Sequence, residues 1–451
     1  MLNLSRDGQI STPPRSVRWE YLLSGVLLSA TLLNYAARQA LPAASVRVQQ
    51  DLGIDAIQYG EAAGVFSLAF GAGALFFGTI ADTVGVRWLY PLVVLCWSGI
   101  AIATGRVETF AALWWYQLLL GVFESGHWPS ALRTTQRVFS PARRTLGNAL
   151  LQSGAAIGAV VVCLLMLGLV IDTPESWRPV LSSLGGYILP PHLFGDDVGR
   201  WRLMFVVIGA GGIPWAIAWL MTVRESDLRR PVLQSADTAG ADAILHERPL
   251  WQTLFSRRFA LLIFMVICIN FCWHFIRVWL PMLLEKDLKY SAQAVQWAMI
   301  GYWGSTLLGA MISGSLVTWL ARLGWPVQRA RMGALLLFAL TTALMVVAAR
   351  LPASPLLLGM LMLVGAGSLA QFPIYYSLTQ ELSGKHQGKI GGILGLLAWL
   401  PLFWFHPFAG ELIENDPQAR TMLFTGVGLL PLLAWCLVSA AWGKNQPRQP
   451  S

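Results

Sequence analysis

Twelve stretches of about 20 apolar residues run through this chain, each long enough to cross a bilayer as a helix. They centre near residues 31, 70, 96, 120, 157, 212, 271, 306, 338, 366, 400 and 431. In hydrocarbon every peptide group must find its partner inside the protein, so such a chain folds as a bundle of spanning helices. The charge inventory agrees: 12% of 451 residues are charged, about half the share of a soluble domain. The expected fold class is an all-α membrane protein with twelve transmembrane helices.

The net charge of +9 would suggest nucleic acid in a soluble protein; here it orients the chain. Lys and Arg accumulate on the cytoplasmic side of membrane proteins. With the N-terminus inside, inner segments hold 21 Lys and Arg, outer loops hold 9, and Arg38 and Arg277 fall within spans. Both termini are therefore expected in the cytosol, and the N-terminal segment lacks the apolar core of a signal peptide. The outer segment 172–200 reads as a loop rich in Pro, Gly and Asp, and the polar stretch 223–257 as the linker between two halves. The expected organisation is a tail over 1–18, a six-helix bundle over 19–222, the linker, a second bundle over 258–443 and a tail over 444–451. Trp88, Trp114 and Trp201 sit where an interfacial aromatic belt would.

Two segments of this chain match each other. Gly121, Pro129, Thr135, Gln136 and Gly147 align without a gap with Gly365, Pro373, Thr379, Gln380 and Gly391. Each copy is an apolar helix, a polar basic loop and a second apolar helix, the pattern of two pseudo-symmetric halves. Repeats of this kind place the working site between them.

The loop between spans two and three carries G-x-x-x-D-x-x-G-x-R, formed by Gly78, Asp82, Gly85 and Arg87. Gly78 would allow close packing, Asp82 would offset a helix N-terminus, Gly85 would permit a tight turn and Arg87 would pair with a carboxylate. This loop resembles the signature of the major facilitator superfamily. Its counterpart runs from Gly314 to Arg331 with Thr318 at the acidic position, which predicts a weaker inner latch in the second half. NYAAR at Asn34–Arg38, QLLLGVFESGHWP at Gln117–Pro129, WHFIRVWLP at Trp273–Pro281, RLGWPVQRAR ending at Arg331, and FPIYYSLTQELSGKHQGKIGG from Phe372 complete a pattern similar to the anion:cation symporter family within that superfamily. That family includes hexuronate and galactonate transporters, and the resemblance covers roughly residues 20–440.

The resemblance implies that Arg38 binds a substrate carboxylate and Glu124 carries a proton. It also implies cavity roles for Tyr35 and Gln152. The chain departs from the family pattern at Ala37, where an Asp is usual, at Gln117, where an Arg is usual, and at Phe70, where a Tyr is common. The residues argue in the same direction by themselves. An ionisable group at a helix centre costs at least about 2.5–3.5 kcal/mol on insertion scales, so it tends to face a cavity and serve function. Arg38 and Glu124 meet that test, with a purely structural ion pair as the other reading. Gln117 and Glu124, seven residues apart, share a helix face. Asn270, His274 and Arg277 form a polar stripe on an apolar helix. Arg277 either replaces the charge missing at Gln117 or snorkels to the outer interface. Gln371 and Tyr375 are further candidates, with helix packing as their simpler role. Gln380–Glu381 and Lys385–His386 read as inner-loop gate residues, and His406 as structural.

No catalytic residue, metal site or cofactor is expected. Walker A, H-E-x-x-H and G-x-S-x-G motifs are missing, and the five cysteines lack metal spacing. The expected energy source is a proton or other ion gradient. The sequence therefore reads as a secondary transporter of a small organic anion, such as a hexuronate or aldonate, in the bacterial inner membrane, monomeric, lipid-embedded and without a nucleic-acid partner. Uncoupled uniport, anion exchange and a transporter-like receptor stay open.

Overall fold

The computed structural model describes residues 17–139, 141–190, 193, 199–228, 249–382 and 387–442. Most of the expected N-terminal tail, all of the C-terminal one, most of the linker and Lys385–His386 lie outside them. The first half runs through α1 (Val17–Ala43), α2 (Ser45–Leu52), α3 (Ala56–Thr83), α4 (Val86–Thr104), α5 (Phe110–Glu124), α6 (His127–Val138), α7 (Pro141–Leu165), α8 (Arg178–Ile188), α9 (Trp201–Ala210), α10 (Gly212–Thr222) and the short α11 (Glu225–Leu228). The second half contains α12 (Leu250–Leu254), α13 (Arg257–Met282), α14 (Ala292–Arg322), α15 (Val327–Ala343), α16 (Met345–Ala348), α17 (Pro355–Gln380), α18 (Gln387–Trp399), α19 (Leu402–Asn415) and α20 (Ala419–Ala441). Helices α7 and α13 each end in a π-helical turn, Met166–Ile171 and Leu283–Asp287.

Among the described residues ten helical segments are long and apolar enough to cross a membrane. The two further legs are α1 and the α5–α6 pair, and both are weakened by polar groups. Helix α1 carries Asn34, Arg38 and Gln39, and α5 stops at Glu124. Helix starts follow local chemistry. The side chains of Asp55, Thr109, Ser256, Ser291 and Ser354 accept the free N–H groups that open α3, α5, α13, α14 and α17. The segment 172–200, expected to be a loop, contains α8.

The same pairings recur in both halves. Helix α1 packs on α7 as α13 packs on α18; α3 packs on α5 as α14 packs on α17; α4 packs on α9 as α15 packs on α20. The halves meet where α3 lies along α18 and α19, where α7 lies along α14, and where α1 touches α13. Small residues allow that approach. A Cβ on Gly64 would come within 2.7 Å of the Phe403 carbonyl oxygen, and one on Gly410 would strike the Ala56 carbonyl.

Hydrogen bonds between the halves gather at the end of the bundle away from the N-terminus of α1. Tyr59 Oη donates to the Val278 carbonyl at 3.0 Å, the Ala56 amide donates to Glu414 at 3.0 Å, and Lys286 Nζ donates to Gln49 Oε1 at 2.5 Å. Arg47 faces Glu285 at 3.4 Å. This end is sealed. Toward the other end α3 and α18 meet through apolar contacts, with Gly392 opposite Leu75.

The motif between spans two and three takes a different form from the one expected. Gly85 does adopt the left-handed conformation, with φ of +84°. Gly78 has open space around it, so it mediates no close packing. The described partner of Arg87 is the Val223 carbonyl, just past the end of α10, where the helix dipole is negative. Asp82 ends α3, and its side chain lies outside the described set. In the second half Arg331 pairs with Glu381 at the end of α17, so a carboxylate outside the motif supplies the ion pair that Thr318 cannot. Trp201 is fully buried rather than interfacial, because its indole N–H donates to Asp51 at 2.8 Å.

Candidate functional site

In the last third of α1, Arg38 reaches α5. Its Nε donates to Glu124 Oε2 at 2.9 Å, and its Nη2 donates to Asn34 Oδ1 at 3.0 Å. Asn34 in turn donates to the Glu124 backbone carbonyl at 3.3 Å. That carbonyl belongs to the last turn of α5, ahead of the break at Ser125–Gly126. Glu124 is 0% exposed and Arg38 7%, so the pair sits out of water. Among described side chains Glu124 is the only carboxylate buried within a spanning leg. Its Oε1 has no hydrogen-bond partner among the described residues.

Aromatic rings surround the Arg38 guanidinium. Its centre lies 4.4 Å from the Phe70 ring, 4.9 Å from Tyr35, 5.7 Å from Phe66 and 5.8 Å from Trp399. Such faces attract a desolvated cation by about 2 kcal/mol or more. Phe66 and Phe70 lie one turn apart on α3, and Trp399 comes from the other half and closes on Phe70 at 4.3 Å.

Arg277 faces inward. It is 3% exposed, which excludes snorkelling to the interface. Its Nη2 lies 2.9 Å from His274 Nδ1, and its Nε has no partner among the described residues. A guanidinium can only donate, so His274 Nδ1 accepts and the ring is neutral with its proton on Nε2. His274 also meets Trp399 edge-on at 4.3 Å.

Arg38, Gln117 and Arg277 line one void together with Tyr59 and Phe66. It lies at the seam of the two halves and measures about 20 Å³, enough for a water molecule. A sugar-sized ligand enters only if side chains move. Gln117 is 4% exposed, and its Nε2 lacks a partner among the described residues.

Other expected candidates lie elsewhere. Gln152 is exposed on α7 and does not line the void. It is two residues, about 200°, from Gly154, whose face packs on α1. Tyr375 is buried in the apolar core of the second half with Phe259, Leu262 and Ile374. Gln371 bonds its own helix at Gly367, 3.3 Å away. Tyr35 contributes its ring face to Arg38. His406 Nδ1 accepts from Trp279 at 3.1 Å, which places it in the sealed end.

The sequence reading missed Asn34, Tyr59, Phe66 and Trp399 as site residues. It also missed a second repeat: Arg38-x-x-Leu41-Pro42 in α1 recurs as Arg277-x-x-Leu280-Pro281 in α13. The two arginines are therefore equivalent positions of the two halves.

Known proteins show the same architecture. A bacterial homolog of the human lysosomal transporter Spinster, crystallised inward-facing and occupied, superposes with a TM-score of 0.75 at 17% identity over 97% of this chain and 100% of its own. A D-xylose-proton symporter does so at 0.70, with 14% identity over 93% of this chain and 98% of its own. At these identities the likeness concerns the fold. In sequence, the chain is 24% identical to the probable L-galactonate transporter of Escherichia coli strain K12 over 70% of its length, and 28% identical to the probable galactarate/D-glucarate transporter of Bacillus subtilis strain 168 over 50%. Those matches span 66% and 44% of the two relatives. The hexuronate transporter of E. coli strain K12 matches at 21% over 89% of both chains. The sequence profile of the Major Facilitator Superfamily matches residues 27–405, and the chain belongs to that superfamily.

Proposed function

We propose that this chain moves a sugar acid, such as a hexuronate or aldonate, across the bacterial inner membrane by alternating access, coupled to a proton. The observation that carries this reading is the buried Arg38–Glu124 pair, whose arginine lines one void with Arg277 at the seam of the halves. The names of its relatives, transporters of galactonate, galactarate and hexuronate, supply the substrate class.

The coupling follows from competition for Arg38. While Glu124 is ionised it occupies the guanidinium, and an incoming carboxylate must displace it. A proton on Glu124 removes that competitor, so proton and anion favour each other's binding. The charged groups near Glu124 are Arg38, in direct contact, and Arg277. His127, one turn away, is held by Tyr90 at 2.9 Å and Thr31 at 3.1 Å. With both termini in the cytosol, the sealed end faces outward, and the site opens toward the cytosolic side once the side chains over it move.

Reconstituted protein tests the reading. Labelled galactonate or galacturonate should enter proteoliposomes faster under an inward proton gradient. Glu124→Gln should lose gradient-driven uptake and keep exchange of labelled for unlabelled substrate. Uptake indifferent to the gradient in the unmodified protein would leave uniport or exchange, which the absence of an acidic residue at Ala37 favours. No flux of any sugar acid would return the chain to a receptor role.

A further inference from the structure

We propose that the ligand carries two negative groups, and that Arg277 holds the second of them as Arg38 holds the first. This rests on the sugar-acid reading and narrows it to an α,ω-dicarboxylate such as an aldarate.

The two arginines occupy equivalent places. Each precedes a proline by four residues, in Arg38–Pro42 and Arg277–Pro281, and that proline removes the helix N–H that would bond the arginine's own carbonyl. Both helices are thus interrupted at the same level, and both arginines line the same void from opposite halves. Their surroundings differ. Arg38 has a carboxylate at 2.9 Å. Arg277 has a neutral His274 and, among the described residues, no carboxylate within ion-pair distance. A buried cation without a counter-ion is costly in a membrane interior. Arg277 Nε and Gln117 Nε2 belong to side chains more than nine-tenths buried that line this void, and neither donor has a partner among the described residues.

Protonation of Glu124 would leave two cations facing the void. A monoacid neutralises one of them, whereas a dicarboxylate neutralises both and ties one half to the other.

The test uses the full-length protein in detergent and equilibrium binding of three six-carbon probes: galactarate, with two carboxylates, and galactonate and galacturonate, with one. The expected result is that galactarate binds at least about 10-fold tighter than either monoacid, one ion-pair increment. Arg277→Gln should erase that preference by weakening galactarate about 10-fold or more and the monoacids by less than about 3-fold. Arg277→Lys, which keeps the charge should the Gln variant fail to fold, should retain an intermediate preference. Equal binding of all three probes by the unmodified protein would overturn the dianion proposal and leave the sugar-acid reading standing. A galactarate preference that survives Arg277→Gln would overturn the role of Arg277. Failure of all three probes to bind would overturn both this proposal and the reading beneath it.

Discussion

Glu124 and His127 flank the same helix break, and only Glu124 is placed to exchange charge with a ligand. The Thr31 hydroxyl gives its proton to the Leu27 carbonyl at 3.2 Å, so His127 Nε2 donates to Thr31 and Nδ1 accepts from Tyr90. His127 is thus a neutral bracket joining α1, α4 and α6. His127→Phe should lower stability by about 1–3 kcal/mol by leaving the buried Tyr90 hydroxyl unpaired, while the pH profile of uptake stays unchanged. A thermal melt in detergent and a pH series of uptake check both halves of this statement. Arg38 and Glu124 were legible in sequence because a charge in an apolar span is costly and rarely incidental. The direction of Arg277 was not, because depth and rotation are set by neighbouring helices. Gln152, which the resemblance places in the cavity, lies on an exposed face of α7, and Tyr375 takes the packing role that was its simpler reading.

The elements that seal the far end are short. Helix α2 spans eight residues, and the π-helical turn after α13 spans five. Gln49 Nε2 lies 2.9 Å from the Met282 sulfur between them. In a variant lacking the exposed Cys436, cysteines at Gln49 and Met282 should be bridged by a short bis-maleimide in the ligand-free protein. Bridging should reduce uptake at least about 10-fold if the two segments must part in each cycle. Rapid uptake by the bridged protein would show that this end stays closed throughout. Spanning helices are legible from hydropathy alone because lipid enforces backbone bonding within each one. Helices α2 and α8 are not, since they lie in polar connecting segments where only tertiary contacts decide between helix and loop.

At the scale of the whole molecule, the arginine is written twice and, among the described residues, the carboxyl buried in a spanning leg once. The internal repeat made the two halves legible. It gave no view of the seam, because residues on α1, α3, α5, α13 and α18 become neighbours only when the halves dock. Under the proposed coupling through Glu124, one proton would move per turnover, so a monoanion would travel with no net charge and a dianion with a net charge of −1. A potential of 100 mV is worth about 2.3 kcal/mol per charge. An inside-positive potential of that size, set with valinomycin and potassium, should therefore raise galactarate accumulation up to about 50-fold and leave galactonate unaffected. Trp399 bears on how the ligand gets in. It rests against Phe70 and His274, and the chain breaks between α18 and α19 immediately after it, at Leu400 and Pro401. Plug and hinge are neighbours in the chain, so a bend at that proline would withdraw the indole from Arg38 and His274. A small aromatic compound wedged beside Trp399 would then act as a brake on the cycle without competing for either charge, a form of inhibition that raising the sugar-acid concentration could not overcome.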